Sequence, residues 1–124
     1  MEEKYEEWVK RFMESWKNLD WKETMSLISK EVKYYENPID EPCTSYEKVT
    51  KLWEVVEENQ KDISYQYKIL AYNENVCIIN WQMERTFIPT NERQIIDGIF
   101  EISLDNNGLL SNFKQWRFTK AEKK

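Results

Sequence analysis

The chain has 124 residues, 40% of them hydrophobic and 15% aromatic, which is enough for one globular domain with a real core and excludes a disordered tail. A net charge of −5 excludes the basic footprint that nucleic-acid phosphates require, and no apolar run is long enough to span a membrane. Histidine is absent, which removes Ser-His-Asp and Cys-His catalysis and His-containing zinc sites, so any acid or base must be Asp, Glu, Lys, Tyr or Cys.

The acidic start, Met1-Glu2-Glu3-Lys4, lacks the apolar stretch of a signal peptide and predicts a cytoplasmic protein. Tyr5, Val9, Phe12, Met13 and Trp16 then form one apolar stripe at helical period. Asp20, with Glu23 three residues on, has capping-box spacing and opens a short second helix carrying Trp21, Met25 and Ile28. Val32 to Asn37 reads as a strand, ended by Pro38 and Pro42. Thr44 and Glu47 form a second capping box, before a third helix with Val49, Leu52, Trp53 and Val56 on one face.

After Asp62 the apolar period falls to two. Ile63, Tyr65, Tyr67 and Ile69 mark one strand, and Cys77, Ile79, Trp81 and Met83 the next. Ile96, Phe100, Ile102 and Leu104 mark a third, alternating with Asp97, Glu101 and Ser103. Asp105-Asn106-Asn107-Gly108 is a hairpin signal ahead of a last strand from Leu109 to Phe118. Helices first and strands later predict an α+β fold with a mostly antiparallel sheet. Cys43 and Cys77 are read as free thiols, Cys77 buried and Cys43 more exposed, in a reducing compartment.

The order of these motifs, over almost the whole chain, resembles the nuclear transport factor 2-like superfamily and its SnoaL-like group. The resemblance is carried by Trp8 to Trp16 followed by Asp20, by Tyr34-Tyr35-Glu36-Asn37-Pro38, by Trp53, by Ile96 to Phe100, and by Asp105 to Gly108 ahead of Trp116. It implies a single domain over 1–124: a cone of strongly curved sheet wrapped round about three helices, with a hydrophobic pocket at its open end and a dimer through the sheet. The catalytic sets of the superfamily do not transfer whole. The first-helix Tyr of ketosteroid isomerases falls on Phe12, their later Asp on Phe100, and their general base on Glu36 or Asn37. No Arg-x-Asp pair of the limonene epoxide hydrolase kind occurs, and the His-Asp pair of scytalone dehydratases is impossible here.

Glu36 shares the phase of Val32 and Tyr34, so it is either a pocket carboxylate able to act as general acid or base, or a solvated strand end. Asp97 interrupts an apolar run and is either a second catalytic carboxylate or an outer-face residue. The expected pocket wall is Phe12, Trp16, Tyr34, Trp53, Trp81, Met83, Phe100 and Trp116, whose alternative is plain core. Arg85 shares the phase of Trp81 and Met83, either meeting an anionic ligand group or pairing with a Glu at the rim. The expected function is binding of a hydrophobic or aromatic small molecule, with metal-free, cofactor-free isomerase, lyase or cyclase chemistry at a pocket carboxylate. The alternative is a non-catalytic ligand-binding or dimeric interaction module. A homodimer is expected through an outer sheet face bearing Ile99 and, on one phase of the last strand, Leu109, Ser111, Phe113 and Gln115.

Overall fold

A computed structural model describes residues 2–123. The elements run α1 Glu2–Lys17, α2 Trp21–Ser26, β1 Ile28–Tyr35, α3 Tyr46–Asn59, β2 Gln60–Tyr72, β3 Cys77–Phe87, β4 Glu92–Leu104 and β5 Leu110–Lys123. No helix among the described residues is long and apolar enough to cross a membrane.

Helix α1 buries the expected stripe and Trp8 beside it. It ends in a Schellman-type turn. Leu19 adopts a φ of 55°, while the Leu19 and Asp20 amides donate to the carbonyls of Trp16 and Ser15. Asp20 caps α2 by accepting from the Glu23 amide at 3.2 Å. Ile28 was expected on this helix, but α2 stops at Ser26 and Ile28 opens β1. Tertiary bonds override the local period here: the Leu27 carbonyl accepts both the Trp8 indole N–H at 3.0 Å and the Leu110 amide at 2.9 Å. The cap of α3 also differs. Ser45, not Thr44, accepts the Lys48 amide, at 3.2 Å.

The sheet has the order β1-β5-β4-β3-β2, antiparallel throughout except for the parallel β1/β5 pair. Register shifts between Lys61 and Ser64, between Ile69 and Ala71, and between Ser103 and Leu104 mark bulges, the device that bends a sheet. The inward faces of the strands close on α1 and α3 through Ile79, Trp81, Ile96, Phe100, Ile102 and Phe113, all essentially buried.

The last bulge corrects the expected outer face. Ser103 pairs with Asn112, but Leu104 pairs with Leu110, so β5 carries one extra residue beside the turn. Its phase inverts there. Phe113 and Gln115 therefore point into the cone and are buried, while Trp116 and Phe118 emerge on the convex face.

Tyrosines of β2 fasten α1 to the sheet. Tyr65 donates to Glu14 at 2.6 Å and Tyr67 to Glu6 at 2.7 Å. Partial burial first, and then the Glu14 carboxylate, push the Tyr65 phenol up from 10.0 to about 12. The folded state thus favours the neutral phenol. The stabilisation is whole below pH 10.0 and is lost as pH rises towards about 12. The melting temperature is expected to fall across that window, and to fall less steeply in Tyr65→Phe. Equal slopes in thermal melts of the two proteins would refute it.

Candidate functional site

At the open end of the cone lies a cavity of about 60 Å³. Its floor and walls include Phe12 and Trp16 of α1, Tyr34 of β1, Trp53 of α3, Phe100 of β4 and Phe113 of β5. These rings hold one another by edge and face contacts. Trp16 meets Trp53 at 5.3 Å and 89°, Phe12 meets Phe100 at 5.7 Å and 83°, and Tyr34 stacks on Phe113 at 4.5 Å and 14°. Around this apolar base stand five polar side chains: Glu36, Gln60, Arg85, Gln115 and Arg117.

The eight expected pocket aromatics and methionine divide. Phe12, Trp16, Tyr34, Trp53 and Phe100 line the cavity. Trp81 and Met83 are buried on the expected inward phase, but they belong to the packed core and not to the lining. Trp81 stacks under Phe100 at 4.8 Å and 15° and is covered by Trp16 at 5.3 Å. Trp116 is on the wrong side altogether, because of the β5 bulge. It is 39% exposed on the convex face, with the Lys114 ammonium 5.8 Å from its ring.

Of the two expected carboxylates, only Glu36 reaches the cavity. Val32 and Tyr34 face inward as predicted, and Glu36 follows them just beyond the end of β1, exposed at the mouth. Its neighbour Asn37 is occupied in the loop, donating to Asp40 and accepting the amides of Ile39 and Asp40. Asp97 projects from the convex face, exposed and apart from Glu36. Gln82 and Asn80 donate to its two oxygens at 3.0 and 2.7 Å, and these bonds hold its carboxyl below the usual carboxylate range. A carboxylate so engaged is a fixed acceptor and not a proton carrier for the cone. An open groove of about 410 Å³ runs beside it, lined by Gln66, Gln82, Glu84 and Ile95 among others.

Arg85 is the unusual residue of the site. It is 6% exposed, and its Nε donates to Gln94 at 2.8 Å. Its Nη1 is buried with no hydrogen-bond partner. The rim salt bridge is not made, for the one ion pair among the described residues is Arg11–Glu23 at 2.5 Å on the surface. Burial first, and the Arg117 charge second, push the Arg85 guanidinium down to about 10, so it remains a cation at neutral pH. The Trp53 indole nitrogen is also buried without an acceptor in hydrogen-bond geometry. Gln60 is held by the Trp16 indole N–H, which donates to its Oε1 at 2.9 Å.

The sequence reading missed Gln60, Gln115 and Arg117 as rim residues. Gln60 stands at the helix-to-strand junction, where no period applies, and the β5 phase of the other two was inverted by the bulge. Both thiols are free, with Cys77 buried and Cys43 half-buried. Burial, reinforced by Glu2 and Glu6, pushes the Cys77 thiol up to about 11, far from a reactive thiolate. Among the described residues no three His, Cys, Asp or Glu side chains gather as a metal site.

The same fold recurs in solved structures. An epoxide hydrolase/cyclase-like enzyme, SalBIII, of pyran ring formation in the polyether salinomycin superposes with a TM-score of 0.81 at 12% identity, covering 94% of this chain and 92% of that one. A Δ5-3-ketosteroid isomerase from Mycobacterium sp. superposes at 0.74 with 12% identity, covering 91% and 95%. A computationally designed 17-OHP binder does so at 0.74 with 11% identity, covering 93% and 96%. At these identities the likeness is one of fold. No curated protein matches the chain by sequence. The family model described as SnoaL-like domain matches residues 9–113, from within α1 to the Phe113 that floors the cavity. The chain belongs to the SnoaL-like domain family.

Proposed function

We propose that this SnoaL-like domain binds a small hydrophobic or aromatic molecule at the open end of its cone, with Glu36 as the acid–base group of any isomerase, lyase or cyclase chemistry there. The observation that carries this reading is the cavity itself, an aromatic base ringed by polar side chains among which Glu36 is the one carboxylate. The superposed folds, described as an isomerase, a cyclase-like enzyme and a designed binder, support both catalysis and plain binding on such a scaffold. Phe12 and Phe100 have no hydroxyl or carboxyl to donate a hydrogen bond, which argues against ketosteroid isomerisation. Three tryptophans occupy much of the interior, so the occupant, or the part of it that enters, is small. Free thiols at Cys43 and Cys77 support a reducing, cytoplasmic setting. The test is NMR titration with neutral aromatic fragments. Shifts of the Trp16 and Trp53 indole protons are expected, and shifts confined to the convex face would overturn the reading.

The convex face supports a second element of the proposal, a homodimer. Ile95, Trp116 and Phe118 are 41%, 39% and 85% exposed there, an apolar patch around the Asp97 carboxylate and the Asn80 and Gln82 amides that hold it. Light scattering is expected to give twice 15.2 kDa, and Trp116→Glu to return it to the monomer. A wild-type mass that stays at the monomer value as concentration rises would reject the dimer.

A further inference from the structure

Arg85 is a buried cation whose Nη1 has no hydrogen-bond partner. A buried guanidinium N–H without an acceptor is destabilising, and the fold does not supply the missing group. Glu36 lines the same cavity but forms no ion pair with either Arg85 or Arg117. From another wall the Trp53 indole N–H is buried and meets the Tyr34 hydroxyl outside good hydrogen-bond geometry. Arg117 adds a second positive charge at the mouth, near enough to Arg85 to disfavour its protonation. An unpartnered guanidinium nitrogen and a second cation thus line one small space, with the Trp53 indole beside the Tyr34 hydroxyl on its wall.

We infer that this pocket selects a monocarboxylate, whose anionic head accepts from the Arg85 guanidinium while its apolar body leaves through the mouth. The inference rests on the proposed binding site and names the class of ligand it takes. Size permits the head group. The cavity of about 60 Å³ has room for a carboxylate. Charge agrees, because Glu36 at the mouth disfavours a multiply charged phosphate there. The body has a place to lie. A groove of about 500 Å³ adjoins the cavity, shares Glu36, Gln115 and Arg117 with it, and adds Pro38, Trp116 and Phe118. It runs where β5 continues past the end of β1, so the sheet edge from Gln115 to Phe118 is open on that side. An amphipathic acid with its head on Arg85 and its tail against Pro38 and Trp116 fits both spaces at once.

The probes are phenylacetate and its neutral isostere phenylacetamide, titrated into the full chain and read by calorimetry and by the indole N–H NMR signals of Trp16 and Trp53. A charge-assisted bond of this kind is worth roughly ten- to a hundredfold in affinity. Phenylacetate is therefore expected to bind at least about tenfold tighter than the amide, with that preference removed in Arg85→Met and partly kept in Arg85→Lys. Arg117→Gln, at an exposed position, is expected to weaken the acid by less than Arg85→Met does. Circular dichroism reports whether each variant is folded. If Arg85→Met does not fold, the acid-to-amide ratio in wild type and its fall in Arg85→Lys decide. Equal binding of acid and amide, or a preference that survives loss of Arg85, would overturn the inference and leave the binding site standing. No binding of either probe, with silent tryptophans, would remove both.

Discussion

Trp81→Ala is expected to destabilise the protein by about 4 kcal/mol and to open the floor of the cone. Trp81 is fully buried in β3, stacked on Phe100 and capped by Trp16. Removing it deletes an indole from the middle of the aromatic base and leaves a void that neighbours on three elements cannot collapse into together. The loss is large against a total stability of about 5–15 kcal/mol, so the denaturant midpoint should drop by about a quarter or more. The void has a functional consequence. An engineered apolar cavity stays dry and accepts an apolar guest of its own size. Indole added to Trp81→Ala should raise its melting temperature by clearly more than it raises that of wild type. Destabilisation under about 1 kcal/mol, or indole stabilising both proteins alike, would show that Trp81 does not fill the floor.

The unpaired indole nitrogen of Trp81 sharpens this point. Trp16 donates to Gln60, so its indole contributes packing and a hydrogen bond, whereas Trp81 contributes packing alone. The native cone is shallow because its base is paved with rings. A steroid-sized occupant needs that paving removed; the head of a small amphipathic acid does not.

The fold was legible because its periods are clean. The stripe in α1 and the alternation in β3 and β4 marked most of the buried apolar side chains found there, and in β2 the alternation marked Ile63 as buried and Tyr65, Tyr67 and Ile69 as half-buried on the inner face. What escaped was non-periodic. One extra residue in β5 moved Phe113 from the outer face to the cavity floor and Trp116 from the pocket to the convex face. Bulges of this kind are set by pairing across strands, which local alternation does not encode. The candidate site was half legible for the same reason. Glu36 and five ring residues follow from strand and helix phase. Asp97 sat on the outer phase of β4 from the start, and the structure holds it there with Asn80 and Gln82. The free nitrogen of Arg85 depends on what every neighbouring element fails to provide, and only coordinates show that.

Gly98→Val is expected to cost about 3 kcal/mol, lowering the melting temperature by roughly 10 °C. Gly98 lies in the middle of β4, directly opposite Trp81 on β3, and its backbone φ is unremarkable for a strand. The requirement is spatial. A Cβ there would stand 2.7 Å from the Trp116 carbonyl oxygen and 2.7 Å from Cε2 and Nε1 of the Trp81 ring. Trp81 lies across the bare glycine, an arrangement that compensates the glycine's poor strand propensity with buried aromatic surface. Two contacts therefore oppose any side chain, one with a ring and one with the backbone of β5. Trp81→Phe lacks the five-membered ring that carries Nε1, so it relieves the first and not the second. Gly98→Ala should accordingly be less destabilising in a Trp81→Phe background than in wild type, with a coupling energy of about 1 kcal/mol, yet never neutral. Thermal melts of the four proteins in that cycle measure it. Strict additivity would place the clash entirely on the Trp116 carbonyl, and a neutral Gly98→Ala would mean that β4 and β5 can part there without loss.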